Sequence, residues 1–417
     1  EDTQGSLTAI GTEALHSNNG GIQNTAVGHG AMYTNVTGGS NTACGYLALN
    51  QNTGDGNSGF GNDALRVNSS GEKNTALGNE ALEANTTASF NTAVGHHALT
   101  TNTTGTKNVA IGSHALESAT TVNENVAIGH MSMDACTTGA ENTAVGTDSL
   151  GALTTGDRNV AVGRQAGLSI TTADRNHAFG YETLEACTTG AQNVAVGYRA
   201  LVANTTGGNN TAVGDNAGYA NTTGNNNTYI GTEAGSYSVG VTTGTRNTLV
   251  GNHTMSAVND ANDQNVFGNN VTGIAASFTF GTGASDTTCS NGGTTWSAPS
   301  DERMKEDIVT ATAGLSFIND LRPVTFKWKK EKDIPEKLNG YVKNSNKRFK
   351  TEATQHGFIA QEVKAAIDSH SELKDGFDMW KEDALDGRQR VGETALIPVL
   401  VKAIQELSAK VTALEAA

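Results

Sequence analysis

Proline is missing from the first 298 residues of this 417-residue chain; all four prolines (Pro299, Pro323, Pro335 and Pro398) stand at or beyond residue 299. Its absence leaves every backbone N–H free to donate, as interior strands of a long stack require. Aromatic residues make up 5% and charged residues 17%, the latter below the ~25% usual for soluble globular domains. A chain so short of large apolar side chains cannot build a wide core and needs repetition or a partner chain. The four cysteines (Cys44, Cys136, Cys187 and Cys289) follow no disulfide or metal-binding framework. No stretch approaches the ~20 apolar residues of a membrane span, so no membrane insertion is expected. Neither an initiator Met nor a signal peptide stands at Glu1, which reads as a start that was removed or lies upstream. Basic residues are scarce too. The net charge of -15 argues against a nucleic-acid partner, because affinity for phosphate needs clustered Lys and Arg.

What is present is unevenly spread. Residues 300–417 hold 19 of the 27 Lys+Arg and 20 of the 42 Asp+Glu, a net of -1. The first 299 residues therefore carry 8 basic and 22 acidic residues, a net of -14, and 44 of the 50 glycines. Two kinds of polypeptide are joined here, and the Gly/Ser/Thr-rich residues 282–299 read as a linker.

Residues 1–281 form a repetitive shaft. A motif of the form Asn-Thr/Val-Ala-Val/Ile-Gly begins at Asn24 and recurs through Asn41, Asn57, Asn74 and onward to Asn227. The step is 17 residues everywhere except Asn41 to Asn57, where it is 16. Leu7–Gly11 is an earlier copy, and Asn247 and Asn265 begin looser late ones. A period held this long predicts a parallel β-solenoid. Thr-Ala-Val suits a short strand, and the following Gly suits a bend or a close backbone approach that excludes a Cβ. Stacked motif Asn side chains are placed to hydrogen-bond from coil to coil. At ~4.8 Å per coil, the copies would make a rod roughly 75 Å long, and a column this thin is stabilised most readily by packing against copies of itself. The Asn-x-Ala-Val-Gly core resembles the head repeats of trimeric autotransporter adhesins and the β-roll shafts of phage and algal-virus fibres.

Candidate sites in the shaft are few. The residue six after each motif Asn varies freely (Asp63, Glu80, His97, His114, Arg199), which marks an outward face that is either solvated or a receptor-binding stripe. His97 and His114 fall on successive coils, with His96 next to His97, but the motif places no carboxylate or Cys partner with them, and no metal or cofactor is expected. Cys136 and Cys187 are three repeats apart, ~14 Å along the column, and are expected to be free thiols within one chain. Asn85, Asn102 and Asn204 open sequons that arise from the turn consensus and matter only in a eukaryotic secretory pathway.

After Pro299 the chain reads Ser300-Asp-Glu-Arg-Met-Lys305. A Ser near a Lys can act as nucleophile and general base where burial lowers the Lys pKa. Phe317–Trp328, His356–Val363 and Ala395–Leu407 follow in order. Together these segments resemble the intramolecular chaperone auto-processing domain of phage endosialidases and tail fibres, also found in myelin regulatory factors. The resemblance implies an α+β domain over 300–417 that trimerises, assists folding of the fibre ahead of it and cuts itself off. It assigns the nucleophile to Ser300, the base to Lys305 and the cleavage to the Pro299–Ser300 bond, and it draws attention to His356 and Glu362.

A terminal helix over about 395–416 can be read without the resemblance. Ile397, Ile404 and Val411 alternate with Leu400, Leu407 and Leu414 as a heptad seam. Ile/Val at a with Leu at d favours two strands, whereas the resemblance implies three. The expectation is thus a mainly β, trimeric β-solenoid shaft followed by a smaller α+β chaperone domain ending in a coiled-coil helix. The function expected is a trimeric fibre or adhesin structural protein, a virus tail fibre in the first place, meeting a host-surface glycan or receptor. A bacterial or algal surface filament is the alternative, and a fibre-borne glycan-degrading enzyme a third.

Overall fold

The computed structural model describes residues 5–236, 242–283, 285–293, 296–297, 300, 302, 305–338, 340–373, 377–382 and 387–416. The chain divides into two compact units, Glu1–Ser300 and Asp301–Ala417.

The first unit is a parallel β-solenoid. Each coil contributes one three-residue strand, from β1 (Thr8–Ile10) through to β15 (Thr248–Val250). Adjacent strands pair parallel and in register, Thr8 with Thr25 and Val94 with Ile111. The 16-residue step is absorbed outside the strands: Thr42 still pairs with Ser58, and the Asn52 amide donates to the carbonyl two residues on rather than three. After β15 come β16 (Met255–Ser256), β17 (Asn265–Asn269), β18 (Thr272–Gly273), β19 (Ser277–Thr282) and β20 (Ser285–Ser290). The late copy begins one residue earlier than the motif suggested. Gln264 takes the Asn place, its N–H donating to Asn247 Oδ1 at 3.0 Å, while Asn265 pairs with Thr248. Part of the expected linker is also ordered into the sheet, because β20 runs antiparallel along β19 and ends the parallel stack.

The core of the column is narrow and repetitive. The strand Ala (Ala93, Ala110, Ala127) and an Ala-Leu pair on the opposite side (Ala98-Leu99, Ala115-Leu116) are fully buried in coil after coil. The Leu of that pair sits in the left-handed region, φ 52° at both Leu99 and Leu116. L-residues with long side chains avoid this region, yet here it points each Leu inward and aims its N–H at the next coil, as in Leu99 N–H to Ala115 O at 3.0 Å. The motif Gly is required. Gly112 has φ +139°, and a Cβ on it would lie 2.3 Å from the Gly129 carbonyl oxygen.

Two buried ladders of Asn run along the column, the first unbroken from Asn24 to Asn247 and the second with a gap. In the first, each motif Asn accepts from the backbone N–H of the next one, as in Asn125 N–H to Asn108 Oδ1 at 3.0 Å. Its amide donates to a carbonyl 14 residues on, Asn108 Nδ2 to Val122 O at 2.8 Å. The second ladder uses the Asn eleven residues later (Asn35, Asn52, Asn68, Asn85, Asn102), linked by bonds such as Asn85 Nδ2 to Asn68 Oδ1 at 2.6 Å. These turn Asn residues, the sequons among them, are therefore interior and not surface groups. For five coils the second ladder is replaced by Ala119, Cys136, Leu153, Ile170 and Cys187, all fully buried, before Asn204 and Asn221 resume it. Burial pushes the Cys136 and Cys187 thiols up to about 11, and both are free.

The ladders differ in what they satisfy, and this gives a testable contrast. Asn108→Ala leaves the Val122 carbonyl and the Asn125 N–H buried without partners, an expected loss of roughly 2–5 kcal/mol. Asn102→Ala, next to a coil that already carries Ala119, is expected to cost less than half as much. Thermal unfolding of both variants, followed by circular dichroism, checks the order.

The second unit is small and mixed. It contains α1 (Leu315–Asp320), β21 (Val324–Phe326), β22 (Gln355–Gly357), α2 (Ala360–Ser369), β23 (Trp380–Glu382), β24 (Gln389–Val391) and α3 (Leu396–Glu415). The strands form two antiparallel pairs, β21–β22 and β23–β24. Phe317 of α1, Val363, Ala366 and Ile367 of α2, and Leu396, Val399 and Ala403 of α3 are buried. Glu406 of α3 accepts the N–H of Leu315 at 2.9 Å, holding the start of α1. Pro398 lies in the first turn of α3, where its missing N–H costs no helical bond. Among the described residues, no helix is long and apolar enough to cross a membrane.

Candidate functional site

The residues singled out from the sequence are Ser300, Lys305, His356 and Glu362. Ser300 closes the first unit and Lys305 falls in the second; both are exposed in the single chain. Pro299 lies outside the described residues. Of the two further residues, Glu362 is tied by an ion pair to Arg322, with Arg322 Nε donating to Oε2 at 2.9 Å. That hydrogen bond holds the Glu362 carboxyl below the usual carboxylate range and fastens α2 to the segment after α1. His356 is exposed on β22 opposite Thr325 and borders a cavity of about 470 Å³ shared with Glu393. A fourth titratable group went unnoticed in the sequence. His370 Nε2 lies 2.8 Å from Asp320 and Nδ1 lies 3.1 Å from Glu372, and hydrogen bonding to Asp320 first, then to Glu372, raises its pKa despite desolvation. It ties the end of α1 to the segment after α2.

α3 has two apolar faces. One packs within the unit through Leu396, Val399 and Ala403. The other carries Ile397, Leu400, Ile404, Leu407, Val411 and Leu414, which are between 40% and 77% exposed. This is the heptad seam of the sequence. The shaft carries a comparable row on the outer side of its strands, where Phe60, Leu77, Ile111, Val196, Val213 and Ile230 are 37–50% exposed.

Residues 300–371 match the family model for the chaperone of endosialidase. The chaperone match begins at Ser300, next to the division between the compact units and at the change in composition. It includes Lys305, His356, Glu362 and His370, and ends ahead of β23, β24 and α3. No curated protein and no solved structure matches the chain. A β-solenoid shaft joined to an endosialidase-type chaperone region makes this a fibre-like protein.

Most of the variable row of the shaft, six residues after each motif Asn, is half-buried rather than freely solvated. Its side chains pair along the column: Glu182 with Arg199 at 3.2 Å and Glu233 with His253 at 3.2 Å. Aromatic rings stack the same way. Tyr181 and Tyr198 lie 5.5 Å apart and 8° from parallel, with Arg164 over Tyr181 and Arg199 over Tyr219. The period exposes neither arrangement in advance, because only stacking reveals which coil neighbours carry complementary side chains.

Proposed function

We propose that the chain is a parallel homotrimeric fibre protein of a virion tail or a cell surface. Its C-terminal region registers three chains, promotes folding of the shaft and then releases itself by cutting before Ser300. The observation that carries this reading is the second apolar face of α3, which runs the length of the helix and stays 40–77% exposed in the single chain. Burying such a face against two copies fixes the register of three solenoids and raises the local concentration of each chain for the others. The exposed apolar row of the shaft gives the same copies a surface to share. The Tyr181–Tyr198 stack, flanked by Arg164, Arg199 and Tyr219, suits a host glycan: ring faces for sugar C–H groups, guanidinium and phenol groups for hydroxyls.

In the cleavage step Ser300 Oγ attacks the Pro299 carbonyl carbon while Lys305, neutral, takes the hydroxyl proton. The C–N bond breaks as that proton passes to the Ser300 nitrogen, leaving an ester that water hydrolyses to a Pro299 carboxylate and a free Ser300. Attack on the adjacent carbonyl is intramolecular, so proximity supplies much of the acceleration. Lys305 is exposed in the single chain, so the desolvation a Lys base needs is assigned to packing between the chains. Intact-mass analysis tests the assignment. Wild type should yield a 118-residue fragment beginning at Ser300 (417 minus 299). Ser300→Ala should yield none, and Lys305→Ala should slow its release roughly 100-fold or more. Unchanged release from both variants overturns the assignment.

A further inference from the structure

Stacking of the coils brings the sixth-position residues of neighbouring repeats side by side, because Val94 pairs with Ile111. His97 and His114 therefore meet, with ring centroids 5.2 Å apart. His96 lies against both, 3.9 Å from His97 and 5.3 Å from His114. Nitrogen atoms of the three imidazoles all lie within 4.8 Å of one another. Of the carboxylate partners, one is the sixth-position residue of the preceding coil and the other lies outside that row. Glu80, one coil back, lies 2.9 Å from His97 Nε2. Glu117 lies 2.9 Å from His114 Nδ1 and 3.3 Å from His97 Nδ1.

We propose that His96, His97 and His114 bind one divalent transition-metal ion, with Zn²⁺ the best fit; Glu117 orients His114, Glu80 orients His97 through Nε2, and His97 Nδ1 gives up its longer contact with Glu117 to the ion. Zn–N bonds of 2.0–2.1 Å put tetrahedral ligand nitrogens roughly 3.4 Å apart. Side-chain rotation of about an ångström closes the present spacing onto one ion. Three imidazoles select Zn²⁺, Ni²⁺ or Cu²⁺ over the oxygen-seeking Mg²⁺ and Ca²⁺. The carboxylates complete the pattern. Metal-bound histidines commonly give their other ring N–H to a carboxylate, which fixes the tautomer and the ring plane. With Nδ1 of His114 held by Glu117, its Nε2 is the ligand atom. The ion would join the coil of His96 and His97 to the coil of His114, clipping neighbouring repeats and leaving a fourth position to water.

The substitutions that test this are already tolerated by the repeat. Asn79 occupies the place equivalent to His96, and Asn216 occupies the sixth position with φ 54°. His96→Asn, His97→Asn, His114→Asn and the triple variant should thus fold, a point checked by their melting temperatures in chelator. Calorimetric titration of ZnCl₂ into the tag-free Ser300→Ala full chain should give one ion per chain. Each single variant should bind at least tenfold more weakly, and the triple variant should lose saturable binding. Co²⁺ should give a visible d–d band with the parent chain and none with the triple variant. Absence of saturable Zn²⁺ binding by the parent, or a triple variant that binds as the parent does, overturns the proposal.

Discussion

Replacing Ile404 and Leu407 together by Glu is expected to abolish assembly of the full chain and leave the shaft without a protease-resistant form. These residues are 65% and 51% exposed and sit on the face of α3 that its own unit leaves bare. The substitutions therefore spare Leu396, Val399 and Ala403, which belong to the buried core of the unit. In a trimer they would bury six carboxylates around one seam, each costing several kcal/mol of desolvation without a counter-charge. That total exceeds what a seam of three heptads supplies. Gln405→Glu, on an exposed polar position of the same helix, is the matched control and should assemble normally. Light scattering reads the outcome: three chains per particle for the control, one for the double variant. A double variant that still assembles as three chains would place the trimer contact elsewhere.

The solenoid was legible because its period is nearly invariant and because Asn, Ala and Gly recur at fixed places. Three features were not. Leu99 and its equivalents adopt φ near 52°, and nothing about a Leu announces a left-handed backbone; only the inter-coil hydrogen bond and the buried side chain make that conformation favourable. Asn85 and Asn102 look like ordinary turn residues, and their burial follows from stacking each turn on the last. The slip from Asn265 to Gln264 shows that a matching residue type is a weaker guide to register than the hydrogen bond it must make.

The candidate sites divide along the same line. Features within one element, such as the seam of α3 and the first-turn placement of Pro398, follow from residue spacing. Features made by neighbours distant in sequence do not. His370 meets Asp320 across 50 residues, and Arg322 meets Glu362 across 40. Glu80 reaches His97 only because coils of 17 residues lie one upon the next. Ser300 and Lys305 are singled out in the sequence by standing where the composition changes, and the chaperone match begins at Ser300.

A detachable folding aid has a consequence larger than any single contact. Parallel coils form slowly, through contacts that leave strand edges exposed until three chains share a register. On the proposed reading, an uncut chain diluted out of denaturant would re-form its α3 contacts first and so bring the shafts to high local concentration. On the same reading, a shaft cut at Ser300 and separated from the C-terminal unit would be held by the unfolding barrier alone and would lack that route back. The direct measurement is recovery of protease-resistant shaft after guanidinium unfolding and dilution, comparing purified cleaved shaft with uncut Ser300→Ala chain. The account predicts that the uncut chain regains most of its resistant shaft and the cleaved shaft roughly a tenth or less. Equal recovery from the two would contradict it.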